Sequence, residues 1–95
     1  MATLPDVVVL SDDYVSLNAS TGISVGSAME IQLKTTAWVR LVQSVSKPTS
    51  DSTDGIIVSN LSYPYATPSV LAGGEEVWAI CTQKDRKASL SVQEG

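Results

Sequence analysis

The residues with the most evident chemical potential lie together in "LAGGEEVWAIC", positions 71 to 81. This stretch contains two adjacent carboxylates, Glu75 and Glu76, a pair of glycines, and Cys81, the single cysteine of the chain. Such a group could be part of a catalytic site. It could equally be a turn that leads into a strand, in which case the two glutamates point to opposite faces and cannot easily act as a pair.

The strand interpretation also accounts for the apolar residues of the stretch. Val77, Ala79 and Cys81 would share one face, so Cys81 is most simply a small buried hydrophobe. Trp78 and Ile80 would occupy the other face. A strand that is apolar on both faces is a central strand, or one whose second face is covered by another subunit. We therefore favour a structural role for these residues.

Other kinds of active site fail on residue types. The chain has no histidine, which removes the usual general base near neutral pH, the Ser-His-Asp and Cys-His nucleophile systems and the commonest zinc ligand. One cysteine cannot build a thiolate metal site. Gly73 and Gly74 lead into a predicted strand, whereas a phosphate-binding loop leads into a helix. The sequence predicts no enzyme activity, no cofactor and no metal.

Composition sets the size and class of the protein. A chain of 95 residues, 43% hydrophobic and 17% charged, is expected to form one domain spanning 1–95. The N-terminal residues do not resemble a secretory signal, and no apolar stretch approaches the roughly 18 residues that cross a bilayer. The net charge is −4 and the six cations are scattered, so we expect neither a membrane nor a nucleic acid as partner.

Apolar and polar residues alternate in steps of two through "MEIQL" and "AWVRLVQSV". This period predicts strands with one buried face. The two runs meet at Thr35 and Thr36, so residues 29–45 are predicted to form a hairpin. A long helix is the alternative, and the β-branched residues disfavour it.

Similar short runs recur about every ten residues, separated by segments rich in turn-forming residues. They are "DVVVL", "YVSLNA", "GIIVSN", "PSVLA", "EEVWAICT" and "KASLSVQ". This spacing predicts an all-β fold: a single small β-sandwich or jelly-roll-like barrel with about seven or eight short antiparallel strands and essentially no helix.

Residues 46–55 are predicted to form a flexible surface loop. They include one lysine, one proline, three serines, two threonines and two aspartates, and so have little to bury. Asp51 and Asp54 lack the ligand spacing of a calcium-binding EF-hand loop.

Aromatic residues suggest a contact surface. Tyr63 and Tyr65 flank Pro64 in a segment that cannot be a central strand, and Trp38 breaks the alternation of its own run. Aromatic side chains are enriched at protein interfaces. We predict that Trp38, Tyr63, Pro64 and Tyr65 contact a partner. The alternative is that the aromatic rings cap the open ends of the sandwich.

Two longer segments resemble small β-structured virion proteins of tailed bacteriophages. They are "LNASTGISVGSAMEIQLKTTAWVRLVQSVSKP" and "GGEEVWAICTQ", followed by the closing run "ASLSVQE". A Thr-Gly-Ile-x-Val-Gly-like opening before a strand pair matches Thr21 to Gly26, and a Gly-x-Glu-x-Val-Trp-Ala-like strand matches Gly74 to Ala79.

The resemblance implies a non-enzymatic virion subunit, made in the host bacterial cytoplasm and present in many symmetric copies. Its partners would be other copies of itself, possibly as a trimer, and the major capsid, neck or tail proteins. Capsid decoration, a neck or tail adaptor and a fibre base are all compatible with it. The alternative function is a carbohydrate- or receptor-binding module, in which Tyr63, Tyr65 and a tryptophan would stack on sugar rings.

Overall fold

The structure, a computed structural model, describes residues 3–35, 38–49, 52, 54–58, 69–84 and 86–94. Within these residues it contains eight strands and one short helix. In chain order they are β1 Val7–Val9, β2 Val15–Ser16, α1 Leu17–Thr21, β3 Met29–Leu33, β4 Val39–Gln43, β5 Ile56–Val58, β6 Ser69–Leu71, β7 Val77–Cys81 and β8 Ala88–Glu94. The predicted all-β architecture is confirmed.

The strands form two four-stranded antiparallel sheets. The first sheet has the order β1-β8-β3-β6, and the second has the order β2-β7-β4-β5. The chain pairs as one long hairpin would: β1 with β8, β2 with β7, β3 with β6 and β4 with β5. Successive strand pairs alternate between the first and the second sheet. The additional pairs β3–β8 and β4–β7 complete the sheets. This arrangement is a jelly roll of eight strands.

The core lies between the two sheets and is built by the alternation seen in the sequence. Every second residue of the long strands points inward and is buried, while its neighbours point outward. The buried cluster contains Val7, Val9, Met29, Ile31, Leu33, Ala88, Leu90 and Val92 from the first sheet, and Val39, Leu41, Val77, Ala79 and Cys81 from the second.

The predicted hairpin over residues 29–45 is wrong, although both of its strands exist. β3 pairs with β6 and β8, whereas β4 pairs with β5 and β7. The connection after Leu33 crosses from one sheet to the other, so the two strands belong to opposite layers of the core. Alternation in the sequence shows that one face of a strand is buried. It does not show whether the next strand in the chain pairs with it in the same sheet or lies across the core in the other sheet.

The run "YVSLNA" was predicted as a strand, and only its beginning is one. After Ser16 the chain enters α1, because the Ser16 hydroxyl accepts a hydrogen bond from the Ala19 N–H at 3.1 Å and caps the helix. Gly22 ends the helix in the left-handed conformation, with φ 80°. The side chain of Leu17 is fully buried, so this single turn contributes to the core.

Gly55 fixes the position at which β5 begins. Its φ of 104° favours glycine, and a Cβ at this position would collide with the backbone carbonyl of Leu41. Of the described residues in the predicted loop 46–55, Pro48 and Ser52 are half-buried, and the other five are exposed: Ser46, Lys47, Thr49, Asp54 and Gly55. Whether this loop is flexible stays a prediction.

Candidate interaction surfaces

Glu75 and Glu76 take separate roles at the start of β7. Glu75 is exposed, whereas Glu76 is half-buried and accepts a hydrogen bond from the Ser16 hydroxyl. The same Ser16 oxygen caps α1. Glu76 therefore links the helix to the second sheet, and the two carboxylates are not arranged as a pair.

Cys81 is a free cysteine with a buried side chain. It belongs to the core cluster together with Val77 and Ala79, on the face that the sequence predicted. Its Sγ lies 3.7 Å from the carbonyl oxygen of Gln83, within the distance of a weak hydrogen bond. The side chain thus fills the core at the end of β7.

Asn18 is a buried polar residue that the sequence reasoning missed. Its Oδ1 accepts a hydrogen bond from the Val77 N–H at 2.8 Å, and its Nδ2 donates to the Ile23 carbonyl at 3.0 Å. One amide therefore satisfies two backbone groups and joins the helix to β7. The available signal was Ser16 followed by Gly22, a helix start and stop six residues apart, which predicts a short helix in place of a strand.

The outward face of the second sheet is apolar. Ile80 lies on this face of the central strand β7 and is only 3% exposed, although it is not part of the core cluster. Tyr14, just before β2, is also buried outside that cluster. A second small apolar layer therefore exists on the outside of the sandwich.

The chain itself covers this outward face with a segment that we call the strap, described at residues 44–49 and 52. The Ser52 carbonyl accepts hydrogen bonds from the Tyr14 hydroxyl at 3.2 Å and from Arg40 Nη1 at 3.0 Å. The Ser44 carbonyl accepts from the Trp78 indole N–H at 3.1 Å. The second apolar face of β7 is thus covered by the same chain, and the sequence had left open whether another subunit would cover it.

An ion pair adds to these contacts. Lys47 Nζ lies 2.6 Å from Asp13 Oδ2. The hydrogen bond from Lys47 lowers the pKa of the Asp13 carboxyl below its ordinary value of 3.8. Both side chains are well exposed, so the ion pair contributes little to the stability of the strap.

One end of the sandwich, which we call the Trp38 end, carries the first exposed apolar surface. Trp38 precedes β4 and is 45% exposed. Its carbonyl accepts the Thr82 N–H at 2.9 Å, and its N–H donates to Gln83 Oε1 at 3.2 Å. The backbone of Trp38 is therefore fixed at the end of β7, while its ring faces solvent. The contact of Trp38 with a partner stays a prediction.

A shallow groove opens at the same end, on the other side of β7. It has a volume of about 360 Å³ and is lined by Leu10, Ser11, Asp12, Arg86 and Lys87. The carbonyl of Leu10 accepts the Cys81 N–H at 2.9 Å, which places the end of β1 beside the end of β7. The groove combines an apolar wall with charges of both signs.

The two lateral sides of the sandwich differ. On the side that we call closed, α1 packs against β1, β2, β7 and β8, and the Cys81 to Leu10 hydrogen bond joins the two sheets. On the opposite side, which we call open, the edge strands are β5 and β6.

Strand β5 on the open side carries the second exposed apolar surface. Ile56 and Ile57 are 53% and 46% exposed. A cleft of about 150 Å³ lies beside Ile56 and is lined by Leu41, Gln43, Gly55 and Ile56. Ile56 pairs with the inward-facing Leu41, so its exposure shows that the described residues leave the sandwich uncovered at this point.

Three of the four predicted contact residues, Tyr63, Pro64 and Tyr65, lie outside the described residues. Within the described part of the chain, no group of three or more histidine, cysteine, aspartate or glutamate residues is placed to hold a metal ion. No helix in those same residues has the length and apolar character needed to cross a membrane.

Comparison of the chain with protein-family models, with curated proteins and with solved structures finds no match.

Proposed function

We propose that this chain is a structural, non-enzymatic subunit of a tailed-bacteriophage virion, which associates with copies of itself and docks on the capsid, neck or tail. The resemblance of residues 17–48 and 73–83 to small virion proteins supports the virion assignment. The jelly-roll strand order is compatible with it, because viral capsid proteins use this fold. Lectins and cupins use it too, so the fold alone does not select the function.

The observation that carries the proposal is the position of the exposed apolar side chains. Seven large apolar side chains are exposed among the described residues: Trp38 at one end of the sandwich, Ile56 and Ile57 on its open side, Val8 on β1, and Leu10, Val25 and Val45 in connecting segments. By contrast, the outward apolar residues Tyr14 and Ile80 are buried. The protein thus covers one apolar surface with its own strap and leaves others exposed, as expected for surfaces that meet a partner.

Mass spectrometry of purified particles of the phage that encodes the chain tests the proposal. We expect the protein in stoichiometric amounts, comparable to other structural subunits. Its absence from the particles would contradict the proposal. The resemblance also implies threefold symmetry, a prediction that competes with the twofold contact proposed below, and sedimentation of the purified protein distinguishes a trimer from a dimer.

The predicted tyrosine contact has its own test. Replacing both Tyr63 and Tyr65 with serine should weaken self-association or particle binding, with little change in the unfolding midpoint, if these rings contact a partner. A lowered midpoint with unchanged association would instead favour the capping alternative. Trp38→Ser is the matched variant within the described residues.

A carbohydrate-binding role is the second candidate, and the exposed Trp38 ring at the same end as the charged groove favours it. An indole ring can stack on a sugar, while Asp12, Arg86 and Lys87 could bind its polar groups. Glycan-array binding that Trp38→Ala abolishes would support this role. Absence of binding to any glycan would remove it.

A further inference from the structure

We propose that the open side of the sandwich is a self-association surface, at which β5 of one copy pairs antiparallel with β5 of a second copy. This inference rests on the proposed function in one respect, the association of the chain with itself. It adds which strand forms the contact and the symmetry of that contact.

The unequal protection of the sheet edges is the first argument. β2 has only two residues and runs directly into α1. β1 lies against the helix and β7, and the carbonyl of Leu10, the residue that follows β1, accepts a hydrogen bond from the Cys81 N–H. β5 pairs with β4 on one side, and it is at the edge of its sheet in the described part of the chain. Such a strand has a row of backbone groups available for pairing with another chain.

The residues of β5 also lack the usual protection against pairing. Natural edge strands are commonly blocked by a charged side chain, a proline or a bulge. The segment Gly55 to Val58 contains no charge and no proline, and its three strand residues are β-branched. β-branched side chains fit well against cross-strand neighbours.

The strand is self-complementary about a twofold axis at Ile57. Antiparallel pairing centred there sets Ile57 opposite Ile57 of the second copy, and Ile56 opposite Val58 of the second copy. Ile56 borders the cleft lined by Leu41, Gln43 and Gly55. The second copy's Val58 would therefore lie at the mouth of this cleft, where it can cover the apolar surface that one copy leaves exposed.

Charge favours the antiparallel arrangement over a parallel one. Each copy has a net charge of −4, so two copies repel each other, and a contact that brings like charges side by side would add to this repulsion. Asp54, the acidic residue nearest to β5, lies three residues from the axis. The two Asp54 positions are thus six residues apart, about 20 Å at about 3.3 Å per residue. A parallel pairing would set them side by side.

The contact is expected to be weak. A contact formed by three residues of each copy buries much less surface than the roughly 800 Å² per partner of a standard interface. We expect concentration-dependent dimerisation of the isolated protein, strengthened where many copies are held close together on a particle.

Complementary charges at Ile57 provide the sharpest test, because the axis sets this residue against itself. Ile57→Lys and Ile57→Glu should each weaken self-association at least tenfold, since like charges then meet directly across the strands. An equimolar mixture of the two variants should recover association as a one-to-one heterodimer. Val8→Lys is the matched control: Val8 is 52% exposed on the edge strand β1, and its substitution should leave association unchanged.

Sedimentation equilibrium over a wide concentration range would measure these constants, with thermal melts to confirm that each variant folds. A wild-type monomer at every concentration would overturn the inference. A trimer that is insensitive to both Ile57 variants would also overturn it, and would leave the proposed virion role standing.

Amide hydrogen exchange of the wild-type protein avoids dependence on the variants. We expect the protection of Ile56 to Val58 to rise with protein concentration. Protection that is strong at every concentration would show that the edge is covered within one chain, and would contradict pairing between copies.

Discussion

The outward faces of the two sheets are built in opposite ways. On the first sheet the outward residues of the central strand β8 are Ser89, Ser91 and Gln93, and all three are half-buried. On the second sheet the central strand β7 presents Trp78 and Ile80 outward. The outward residues of β8 are polar, whereas those of β7 are apolar, and the strap accepts a hydrogen bond from the Trp78 indole N–H. Two strands that occupy equivalent central positions in their sheets therefore carry different types of residue on their outward faces.

Ion pairs illustrate the same difference. Lys34 and Asp6, 2.9 Å apart on the first sheet, connect β1 and β3 across the small serines of β8. Lys47 and Asp13 on the second sheet connect the strap to the segment before β2. The Lys34–Asp6 pair lies over a polar face, and the Lys47–Asp13 pair lies at the border of a covered apolar face. Two similar ion pairs therefore lie in different surroundings.

The largest expected effect comes from comparing equivalent positions of the two central strands. Ile80→Ala should lower the free energy of unfolding by about 3 kcal/mol, because it removes a buried side chain and leaves a cavity beneath the strap. Ser89→Ala, on the outward face of β8, should change it by no more than about 0.5 kcal/mol. Urea denaturation of the two variants measures both. Equal losses of unfolding free energy in the two variants would contradict the difference between the two outward faces.

Removing part of the strap tests what holds it. The composition of residues 46–55 predicts that deleting Thr49 to Ser52 is nearly neutral, because loop length affects stability only slowly. The structure leads to a different expectation, because the Tyr14 hydroxyl and Arg40 donate to the Ser52 carbonyl. We expect a loss of about 2 to 3 kcal/mol, since the buried hydroxyl loses its partner. A deletion variant with an unchanged denaturation midpoint would disprove this role of the strap.

Trp78→Ala examines the other apolar residue of the covered face. The sequence predicts a loss of about 3 to 5 kcal/mol for a fully buried ring. The ring is half-buried and its indole N–H donates to Ser44, so we expect a smaller loss of about 2 kcal/mol from apolar contact and one hydrogen bond. Trp78→Phe, which retains most of the ring, should lose about 1 kcal/mol. Chemical denaturation separates the two contributions.

The smallest effect concerns pH. Lys47 lowers the pKa of Asp13 below 3.8 in the folded protein, so the pair stabilises the fold above that value. This contribution is lost as the pH falls through the lowered pKa. Lys47→Met should raise the Asp13 pKa in an NMR titration, because the largest cause of its lowering is removed, and Lys34→Met should leave it unchanged. An Asp13 pKa that is the same with and without Lys47 would refute the pairing.

The sequence predicted the strands well because alternation is a local property. Residues 29–33, 39–43 and 88–94 each show it, and each is a strand. Pairing is not local, so the hairpin between β3 and β4 was predicted wrongly. The helix at Leu17 to Thr21 was missed because the apolar run before it suggested a longer strand, although Ser16 and Gly22 provide its start and stop signals.

The interaction surfaces were predicted less completely. Apolar residues on both faces of β7 correctly indicated a covered second face. They could not show whether the cover belongs to the same chain, because the strap binds through the backbone carbonyl groups of Ser44 and Ser52, and every residue has such a group. The exposure of Ile56 and Ile57 also escaped notice, since a short apolar run looks the same at the edge of a sheet as at its centre.

The nested strand pairs of the jelly roll also imply an order of folding. The pair β4–β5 joins residues close in the sequence, whereas β1–β8 joins the two ends of the described chain. Closing a short loop costs less entropy than closing a long one, and proteins rich in distant contacts fold slowly. We therefore expect β4 and β5 to pair early in the transition state and β1 to join last, over milliseconds to seconds. β5 would then expose its free edge throughout folding. The rate of folding and the concentration of nascent chains would together determine how often two copies meet before either has finished folding.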